Sequence, residues 1–261
     1  MTANDCFMNP NDLIQQTAEI IVSSKHVVAL TGAGVSVESG IPPFRGKGGL
    51  WEKFDPLEVG HIQSFMRNPE RVWRLLISEM KGILADARPN PAHAGLARLE
   101  SLGKLKTVIT QNVDGLHQLA GSRDVIEFHG NFAMLRCMDC GLRVKTVDVA
   151  MTDMPPRCHC GGIYRPECVF FGEPIPMQAL DRAQMAASSC DLMLVAGTSA
   201  VVQPAAFMPV MARQSGAVVI EINPEPTPLT GSTSKYLVRG KAGITVRRIT
   251  DEVEQMLAAR R

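Results

Sequence analysis

Residues 26–46 read HVVALTGAGVSVESGIPPFRG and carry the strongest local signal in the chain. The apolar run at the start is typical of a buried strand, and Gly32 and Gly34 follow it directly. Ser36 then suits the start of a helix. A glycine turn between a strand and a helix presents backbone N–H groups to a pyrophosphate, so we predict a dinucleotide-binding turn. A plain strand-to-helix turn stays open as the alternative, because Gly-x-Gly alone is weak evidence.

Two departures separate this turn from the usual dinucleotide fingerprint. Val37 stands in place of the third glycine of G-x-G-x-x-G. The next apolar strand ends in Gln111, Asn112 and Asp114 instead of a single acid for a ribose. These groups lie where open α/β sheets bind ligands, although an Asn/Asp turn that caps the next helix is the alternative. An ordinary dehydrogenase is therefore disfavoured.

Short apolar runs alternate with helical periodicity along most of the chain, which predicts an α/β fold with a Rossmann-like doubly wound parallel sheet. Two other segments break the pattern, and we predict that they form a smaller inserted domain. The predicted large domain comprises residues 1–45, 92–133 and 169–261, and the small domain residues 46–91 and 134–168. We predict strands at His26–Leu30, Thr107–Thr110, Val125–Phe128, Leu192–Ala196, Ala217–Ile222 and Lys235–Val238, and helices at Leu13–Ser23, Ala92–Leu102, Met177–Ser188, Ala205–Gln214 and Asp251–Arg260.

The bulk composition argues against several classes of protein. The 261 residues carry 27 Lys and Arg against 26 Asp and Glu, so the chain lacks the basic surface of a nucleic-acid binder. The N-terminus lacks the pattern of a secretory signal, and no window approaches the roughly 18 apolar residues of a membrane helix. We expect a cytoplasmic protein with neither a membrane nor a nucleic-acid partner.

Four of the seven cysteines lie close together in the sequence. Cys137 and Cys140 form C-x-x-C, and Cys158 and Cys160 follow with His159 between them. In a reducing compartment such a cluster indicates a metal site before it indicates disulfides. We predict that the four thiolates bind a structural Zn²⁺, a closed site with no open position for catalysis. Because the second pair is one residue shorter than usual, His159 stays open as a substitute ligand.

Spaced motifs along the chain carry a family resemblance. They are GAGVSVESGIPPFRG (Gly32–Gly46), QNVD (Gln111–Asp114), His129-Gly130, the cysteine cluster, FGEP (Phe171–Pro174), GTS (Gly197–Ser199) and Asn223. In this order they resemble the sirtuins, NAD-dependent protein deacylases, of bacterial or archaeal type. The resemblance extends from His26 to about Gly243.

The resemblance implies a reaction and its catalytic residues. The acyl oxygen of a modified lysine attacks the ribose carbon of NAD that bears nicotinamide, nicotinamide leaves, and the acyl group moves to ADP-ribose. NAD is then a consumed co-substrate. A base must deprotonate a ribose hydroxyl, and His129 is suitable because histidine titrates near neutral pH. The resemblance assigns Asn112 and Asp114 to the nicotinamide region, whereas His117 is expected to pack in the following helix.

The resemblance also implies which residues contact the ligands. The residues expected to bind NAD are Gly32, Ala33, Gly34, Glu38, Phe44, Arg45, Gln111, Asn112, Asp114, Gly197, Thr198, Ser199, Asn223 and Ala242. An acylated-lysine peptide is expected to lie as an added strand between two segments. The residues expected to contact it are Val169, Phe170, Phe171, Gly172, Val201 and Val202. Ordinary loops between core strands are the alternative for both segments.

The acyl preference depends on the helical segment around Leu76 and Glu79. Relatives that prefer acidic acyl groups carry a Tyr and, three residues later, an Arg in a similar region. Aligned on Val72 and Trp73, those places fall on Leu76 and Glu79. Leucine donates no hydrogen bond and glutamate repels a carboxylate, so we expect an acetyl or longer neutral acyl group. Ordinary positions on an amphipathic helix are the alternative.

Two further functions stay open on the sequence. One is mono-ADP-ribosyl transfer to a protein side chain, and the other is a non-catalytic sensor module that binds NAD and zinc. The presence of His129 and a complete QNVD argues against both. Nucleic-acid binding by the basic residues around the cysteines is a third possibility, which a solvated surface explains equally well.

Overall fold

The computed structural model describes residues 10–46 and 48–260. Its larger sheet has the order β3-β2-β1-β7-β8-β9, and all neighbouring strands are parallel. Counted among themselves, these strands lie in the order 3-2-1-4-5-6 of the Rossmann fold, so the predicted fold class is confirmed. The strands are β1 (Val27–Thr31), β2 (Leu105–Thr110), β3 (Val125–Glu127), β4 (Gly130–Cys137), β5 (Arg143–Lys145), β6 (Tyr164–Cys168), β7 (Leu192–Ala196), β8 (Val218–Asn223) and β9 (Tyr236–Arg239).

Helices cover both faces of the large sheet. In β1, Val27 and Ala29 pack toward α1, α7 and α11, whereas Val28 and Leu30 pack toward α9 and α10. Side chains alternate between faces along a strand, so a strand covered on both sides is apolar throughout. The helices are α1 (Pro10–Ser23), α2 (Leu50–Lys53), α3 (Pro56–Val59), α4 (Ile62–Arg67), α5 (Pro69–Val72), α6 (Ser78–Asp86), α7 (Pro91–Ser101), α8 (Leu116–Leu119), α9 (Met177–Ser189), α10 (Met208–Gln214) and α11 (Ala242–Ala258).

The small lobe consists of α2–α6 and a three-stranded antiparallel sheet in the order β5-β4-β6. A π-helical stretch, Trp73–Ile77, joins α5 to α6. Both parts share one apolar core, in which Phe65 and Trp73 are fully buried. β4 begins at Gly130, four residues before the predicted boundary at residue 134. The division into the two stated domains stays a prediction.

Two predicted helix starts are wrong. Two 3-10 turns, Ala33–Val35 and Val37–Ser39, follow the glycine turn in place of a helix from Ser36. Gly40 has φ +85°, and two prolines follow shortly after it, so a helix cannot continue there. The last helix begins at Ala242, nine residues before the predicted start. Its buried stripe begins in the GKAG segment, which the sequence alone presents as a turn.

Among the helices of the described residues, we find none with the length and apolar character needed to cross a membrane.

Candidate active site

A cavity of about 1000 Å³ lies between the small lobe and the carboxyl ends of four parallel strands. Its lining includes residues that directly follow β1, β2, β7 and β8. The order of the sheet reverses between β1 and β7, and open α/β sheets bind ligands at such a switch point. The topology therefore places this cavity where a ligand is expected.

Two glycine turns meet at the switch point. The N–H of Gly34 donates to the carbonyl of Gly197 over 2.7 Å, and the N–H of Gly32 donates to that of Ala196 over 3.1 Å. A Cβ on Gly34 would lie 2.7 Å from the oxygen of Gly197, and Gly197 itself has φ +58°. Such contact and such a φ require glycine. With Ala33, whose N–H makes no hydrogen bond among the described residues, these residues form a cavity wall without bulky side chains, so a pyrophosphate can approach the backbone closely.

Asn112 and Asp114 follow β2 and hold this wall in place through hydrogen bonds. Asn112 lines the cavity, and its Nδ2 donates to the carbonyl of Gly32 and to Ser36 Oγ, each over 3.1 Å. Ser36 Oγ in turn donates to Asp114 Oδ2 over 2.7 Å. Asp114 Oδ1 accepts from the N–H of Leu116, at the start of α8, over 2.9 Å. Asp114 is not one of the residues that line the cavity, so its catalytic and NAD-binding roles stay predictions.

His129 lines the same cavity, two residues after the end of β3 and directly before β4. Its Nδ1 lies 3.1 Å from the carbonyl oxygen of Gln111, so Nδ1 carries the proton and Nε2 of the neutral ring carries the lone pair. Burial lowers the pKa of His129, and the hydrogen bond to the Gln111 carbonyl only partly opposes this effect. A neutral imidazole with one free nitrogen is the form that a general base requires.

His117 is buried, as expected from the sequence. Its Nε2 lies 2.9 Å from Thr31 Oγ1, and its ring packs edge-on against His93. Burial and the nearby His93 lower the pKa of His117 to about 3. His117 is therefore a neutral part of the core and does not compete with His129 as a base.

Polar side chains connect the ends of β2, β7 and β8. Gln111 Nε2 donates to Thr198 Oγ1 over 3.0 Å, and Asn223 Nδ2 donates to the carbonyl of Thr198 over 3.1 Å. Ser199 lies beside them in the cavity lining. These hydroxyl and amide groups are suited to bind ribose hydroxyls.

The N-terminus of α11 closes the cavity near these polar groups. Ala242 lines it, and Glu38 Oε2 accepts from the N–H of Gly243 over 2.6 Å. Glu38 thus joins the segment after the glycine turn to α11. Lys241 also lines the cavity and adds a cation.

Phe44 and Arg45 line the cavity on the segment that leads into the small lobe. The Phe44 ring lies 5.4 Å from that of Trp51, and Trp51 lies 6.0 Å from Phe171. This aromatic row joins the end of the glycine-rich loop to the segment after β6.

The segments predicted to hold a peptide border the cavity unequally. Val169–Gly172 lines it throughout, and so does Val202. Val201 is 49% exposed and lies outside the lining, so its predicted contact stays a prediction.

Of the two helical residues that were predicted to contact the acyl group, the structure places one in the cavity lining. Leu76 is buried and lines the cavity, but Glu79 lies at the surface and pairs with Lys53 over 2.9 Å. The second and third lining residues of this helix are Ile77 and Met80. Met80 follows Leu76 by four positions and therefore lies on the same face, whereas Glu79 does not share that face in this locally π-helical segment.

Several lining residues were not predicted from the sequence. A helical period started at Leu76 would have indicated Met80, but the others come from distant segments that carry no shared local pattern. They include Trp51, Ile77, Met80, Phe132, Cys168 and Lys241.

The four predicted metal ligands lie together at the far end of the small sheet. The Sγ atoms of Cys137, Cys140, Cys158 and Cys160 all lie within 4.8 Å of one another. The pair Cys137–Cys160 is 3.5 Å apart and the pair Cys140–Cys158 is 3.7 Å apart. A tetrahedral Zn²⁺ with bonds of about 2.3 Å separates its sulfurs by about 3.8 Å, so the thiols fit a structural zinc. His159 Nδ1 lies 3.5 Å from Cys158 Sγ and outside this group of four.

The sheet order, the cavity and the four thiols define a Rossmann-type α/β protein with a metal-binding lobe. The Sir2 family model matches residues 32–204, and the chain belongs to this family. It is 46% identical over 244 residues to NAD-dependent protein deacylase 2 of Pyrobaculum aerophilum, which covers 93% of this chain and 97% of that relative.

Solved structures are similar over nearly the whole chain. A mutant Sir2 homologue in complex with ADP ribose has a TM-score of 0.89 and 45% identity, and the match covers 93% of this chain and 97% of the other. A mutant Sir2 with a deacetylated p53 peptide and 3'-O-acetyl ADP ribose has a TM-score of 0.86 and 37% identity. That match covers 92% of this chain and 98% of the other.

Proposed function

We propose that this chain is an NAD-dependent protein-lysine deacylase that releases nicotinamide and O-acyl-ADP-ribose. The observation that carries the proposal is the position of His129 at the wall of the cavity that also contains both glycine turns. A base, a phosphate-binding backbone and a peptide-binding segment border one volume. Sir2 structures with ADP ribose and with a deacetylated peptide support the same assignment.

His129 acts as the general base in this proposal. NAD supplies the ribose carbon that receives the acyl oxygen when nicotinamide leaves. His129 Nε2 takes the proton of a ribose hydroxyl, and the hydroxyl oxygen then attacks the acyl carbon. Water from the solvent adds, the bond between the acyl carbon and the lysine nitrogen breaks, and free lysine leaves with O-acyl-ADP-ribose as the other product. The carbonyl of Gln111 fixes the tautomer by accepting from Nδ1, 3.1 Å away. Asn112 orients the nicotinamide end of NAD. Asp114 holds Ser36, and Ser36 accepts a hydrogen bond from Asn112 and so fixes its side chain.

The remaining predicted contacts divide between NAD and the peptide. Gly32–Gly34 and Arg45 bind the phosphates, and Phe44 covers the reacting ring. The ribose and adenosine contacts are assigned to Glu38, Gln111, Gly197, Thr198, Ser199, Asn223 and Ala242. The acyl-lysine peptide lies between Val169–Gly172 and residues 201–202.

The acyl group is neutral in this proposal. Leu76, Ile77, Met80 and Phe132 supply apolar surface to the cavity. A succinyl or malonyl carboxylate in such surroundings requires a paired cation, because burial of an unpaired charge is costly. The acetyl group or a longer apolar acyl group meets no such cost.

The compartment in this proposal is the cytoplasm, because free thiols are typical of a reducing compartment. The six cysteines in the described residues are free, and four of them form the zinc site. The partners proposed are acylated-lysine proteins or peptides.

The test is incubation with an acetyl-lysine peptide and NAD, with nicotinamide and O-acetyl-ADP-ribose followed by mass spectrometry. We expect both products from the wild type and a loss of about 100-fold or more in rate for His129→Ala, as for removal of a general base. His26→Ala is the matched control, since His26 lies at the opposite end of β1. Equal deacylation by His129→Ala, or labelling of protein by ADP-ribose in place of deacylation, contradicts the proposal.

A further inference from the structure

A buried ion pair supports the segment Val169–Gly172. Arg165, on β6, donates to both carboxylate oxygens of Glu173 over 2.6 and 2.7 Å. The side chains are 6% and 20% exposed. Burial raises the pKa of Glu173, but hydrogen bonds from Arg165 and from the N–H of Phe170 outweigh it and lower the pKa. The pair is therefore charged and bidentate, the strong form of such an interaction.

The same two side chains also bind the backbone between them. Arg165 Nη2 donates to the carbonyl of Cys168 over 2.9 Å, and Glu173 Oε2 accepts from the N–H of Phe170 over 2.9 Å. The N–H of Glu173 donates to the carbonyl of Phe170 over 3.1 Å. The guanidinium lies 5.0 Å from the centre of the Phe170 ring. Each charge thus fixes one end of a tight turn whose residues line the cavity.

The small lobe and the loop after β3 use most of the other backbone groups. The N–H of Val169 donates to the carbonyl of His129 over 2.9 Å. The N–H of Phe171 donates to Gly60, and its carbonyl accepts from Ile62. Within the described residues, no hydrogen bond involves the carbonyl of Val169 or the backbone groups of Gly172. These groups are available to a strand added by a peptide.

We propose that Arg165 and Glu173 are a positioning pair that holds Val169–Gly172 in the shape that binds the acyl-lysine peptide. The inference rests on the proposed deacylase function. Glu173 borders the cavity and Arg165 does not, and their hydrogen bonds go to each other and to the backbone of Cys168 and Phe170. The pair therefore acts through the backbone of the peptide-binding segment. An arginine is required at position 165, because the planar guanidinium has several N–H donors and binds both Glu173 and the carbonyl of Cys168.

The main experiment compares Glu173→Gln with Glu167→Gln. Glu167 is on β6 too and is 19% exposed, close to the 20% of Glu173, but its partner Arg143 is 63% exposed. The control therefore makes the same substitution in an ion pair whose cation is solvated. We expect Glu173→Gln to raise KM for the acetyl peptide about tenfold, because an amide cannot bind both the guanidinium and the Phe170 N–H as the carboxylate does. We expect kcat at saturating peptide and KM for NAD to stay within about twofold. Glu167→Gln is expected to match the wild type.

A second variant separates geometry from charge. Arg165→Lys keeps the cation but loses the fork, and we expect it also to raise KM for the peptide by about fivefold to tenfold. If Glu173→Gln unfolds below the assay temperature, the double variant Arg165→Met/Glu173→Gln replaces it. That double variant leaves no unpaired buried charge, so it is expected to fold and still to bind the peptide weakly.

Two results would overturn the inference. One is a fall in kcat with an unchanged KM for the peptide, which indicates a smaller folded fraction and a purely structural pair. The other is wild-type kinetics in Glu173→Gln. Fluorescence anisotropy of a labelled acetyl-lysine peptide measures its Kd without turnover. If the wild type binds this peptide but releases no nicotinamide, the deacylase proposal fails while the role of the pair is still measured.

Discussion

The cavity has two sides that are built by different means. Its glycine side, Gly32–Gly34 with Gly197–Ser199, is backbone packed on backbone at the ends of β1 and β7. Its small-lobe side, Leu76, Ile77, Met80 and Phe132, consists of side chains from a helix and a separate strand. The glycine side has no room for one added carbon, whereas the small-lobe side can exchange one side chain for another. Dinucleotide binding is thus fixed by geometry, and acyl preference is adjustable.

The largest expected effect is on the glycine side. A Cβ on Gly197 would overlap the backbone N of Val35, and φ +58° adds strain. The left-handed backbone alone costs about 1 to 2 kcal/mol, and the overlap forces the two turns apart. We expect Gly197→Ala to lower kcat/KM for NAD by about 100-fold or more, measured in the nicotinamide-release assay.

The control is Gly216→Ala, which has a similar backbone strain without the overlap. Gly216 has φ +97°, and a Cβ there would meet no atom within 4 Å. We expect a lower melting temperature from the strain of about 1 kcal/mol, with kcat/KM for NAD unchanged. Equal losses of activity in both variants would mean that strain, not the contact between turns, explains the effect.

An intermediate effect is expected on the small-lobe side. Met80 is 4% exposed and lines the cavity, so Met80→Arg places a cation at the acyl wall. We expect kcat/KM for the acetyl peptide to fall about tenfold and turnover of a succinyl peptide to rise relative to it, because a carboxylate neutralises the buried charge. Competition between the two peptides measures the ratio.

Glu79→Arg is the matched variant one position away. Glu79 lies at the surface beside Lys53, so we expect both acyl peptides to react within about twofold of the wild type. Suppose that Glu79→Arg changes the ratio of succinyl to acetyl turnover and Met80→Arg does not. Glu79, as the sequence alignment predicts, and not Met80, would then contact the acyl group.

The smallest expected effect is that of pH near neutrality. Burial holds the pKa of His129 below its usual 6.5. A general base works when neutral, so kcat/KM is lost as the pH falls through that lowered pKa and is near its plateau at pH 7. We expect less than about twofold change between pH 7 and 8. An acid limb centred above pH 6.5 would contradict this.

The parts of the site that the sequence predicted well are those formed by neighbours in the chain. TGAG after a buried strand predicts a tight turn at the edge of the sheet, and its contact with the turn at Gly197 follows from the pairing of the parallel strands β1 and β7. Each pair of cysteines lies within one short turn, and the pairing of β4 with β6 brings the two turns together. Short apolar runs, glycine turns and closely spaced thiols were sufficient to predict these features.

The parts that the sequence missed depend on long-range packing. Met80 and not Glu79 lines the cavity because a π-helical stretch at Trp73–Ile77 sets the face that the helix presents. The carboxylate of Asp114 stands behind Ser36, a contact between residues 78 positions apart. The helical period makes Met80 a neighbour of Leu76, but it does not decide which face of the helix meets the cavity, and nothing in either segment encodes the contact of Asp114 with Ser36.

The sequence by itself determined the fold class, the glycine turns and the cysteine site, because strand periodicity, glycine conformation and thiol chemistry act over a few residues. Only the tertiary structure decided which side chains form the small-lobe side and which ion pair supports the peptide segment. The physical reason is that side-chain contacts between distant segments depend on how the two lobes pack. Met80 and Phe132 illustrate this, since they come from separate segments of the chain and line the same cavity.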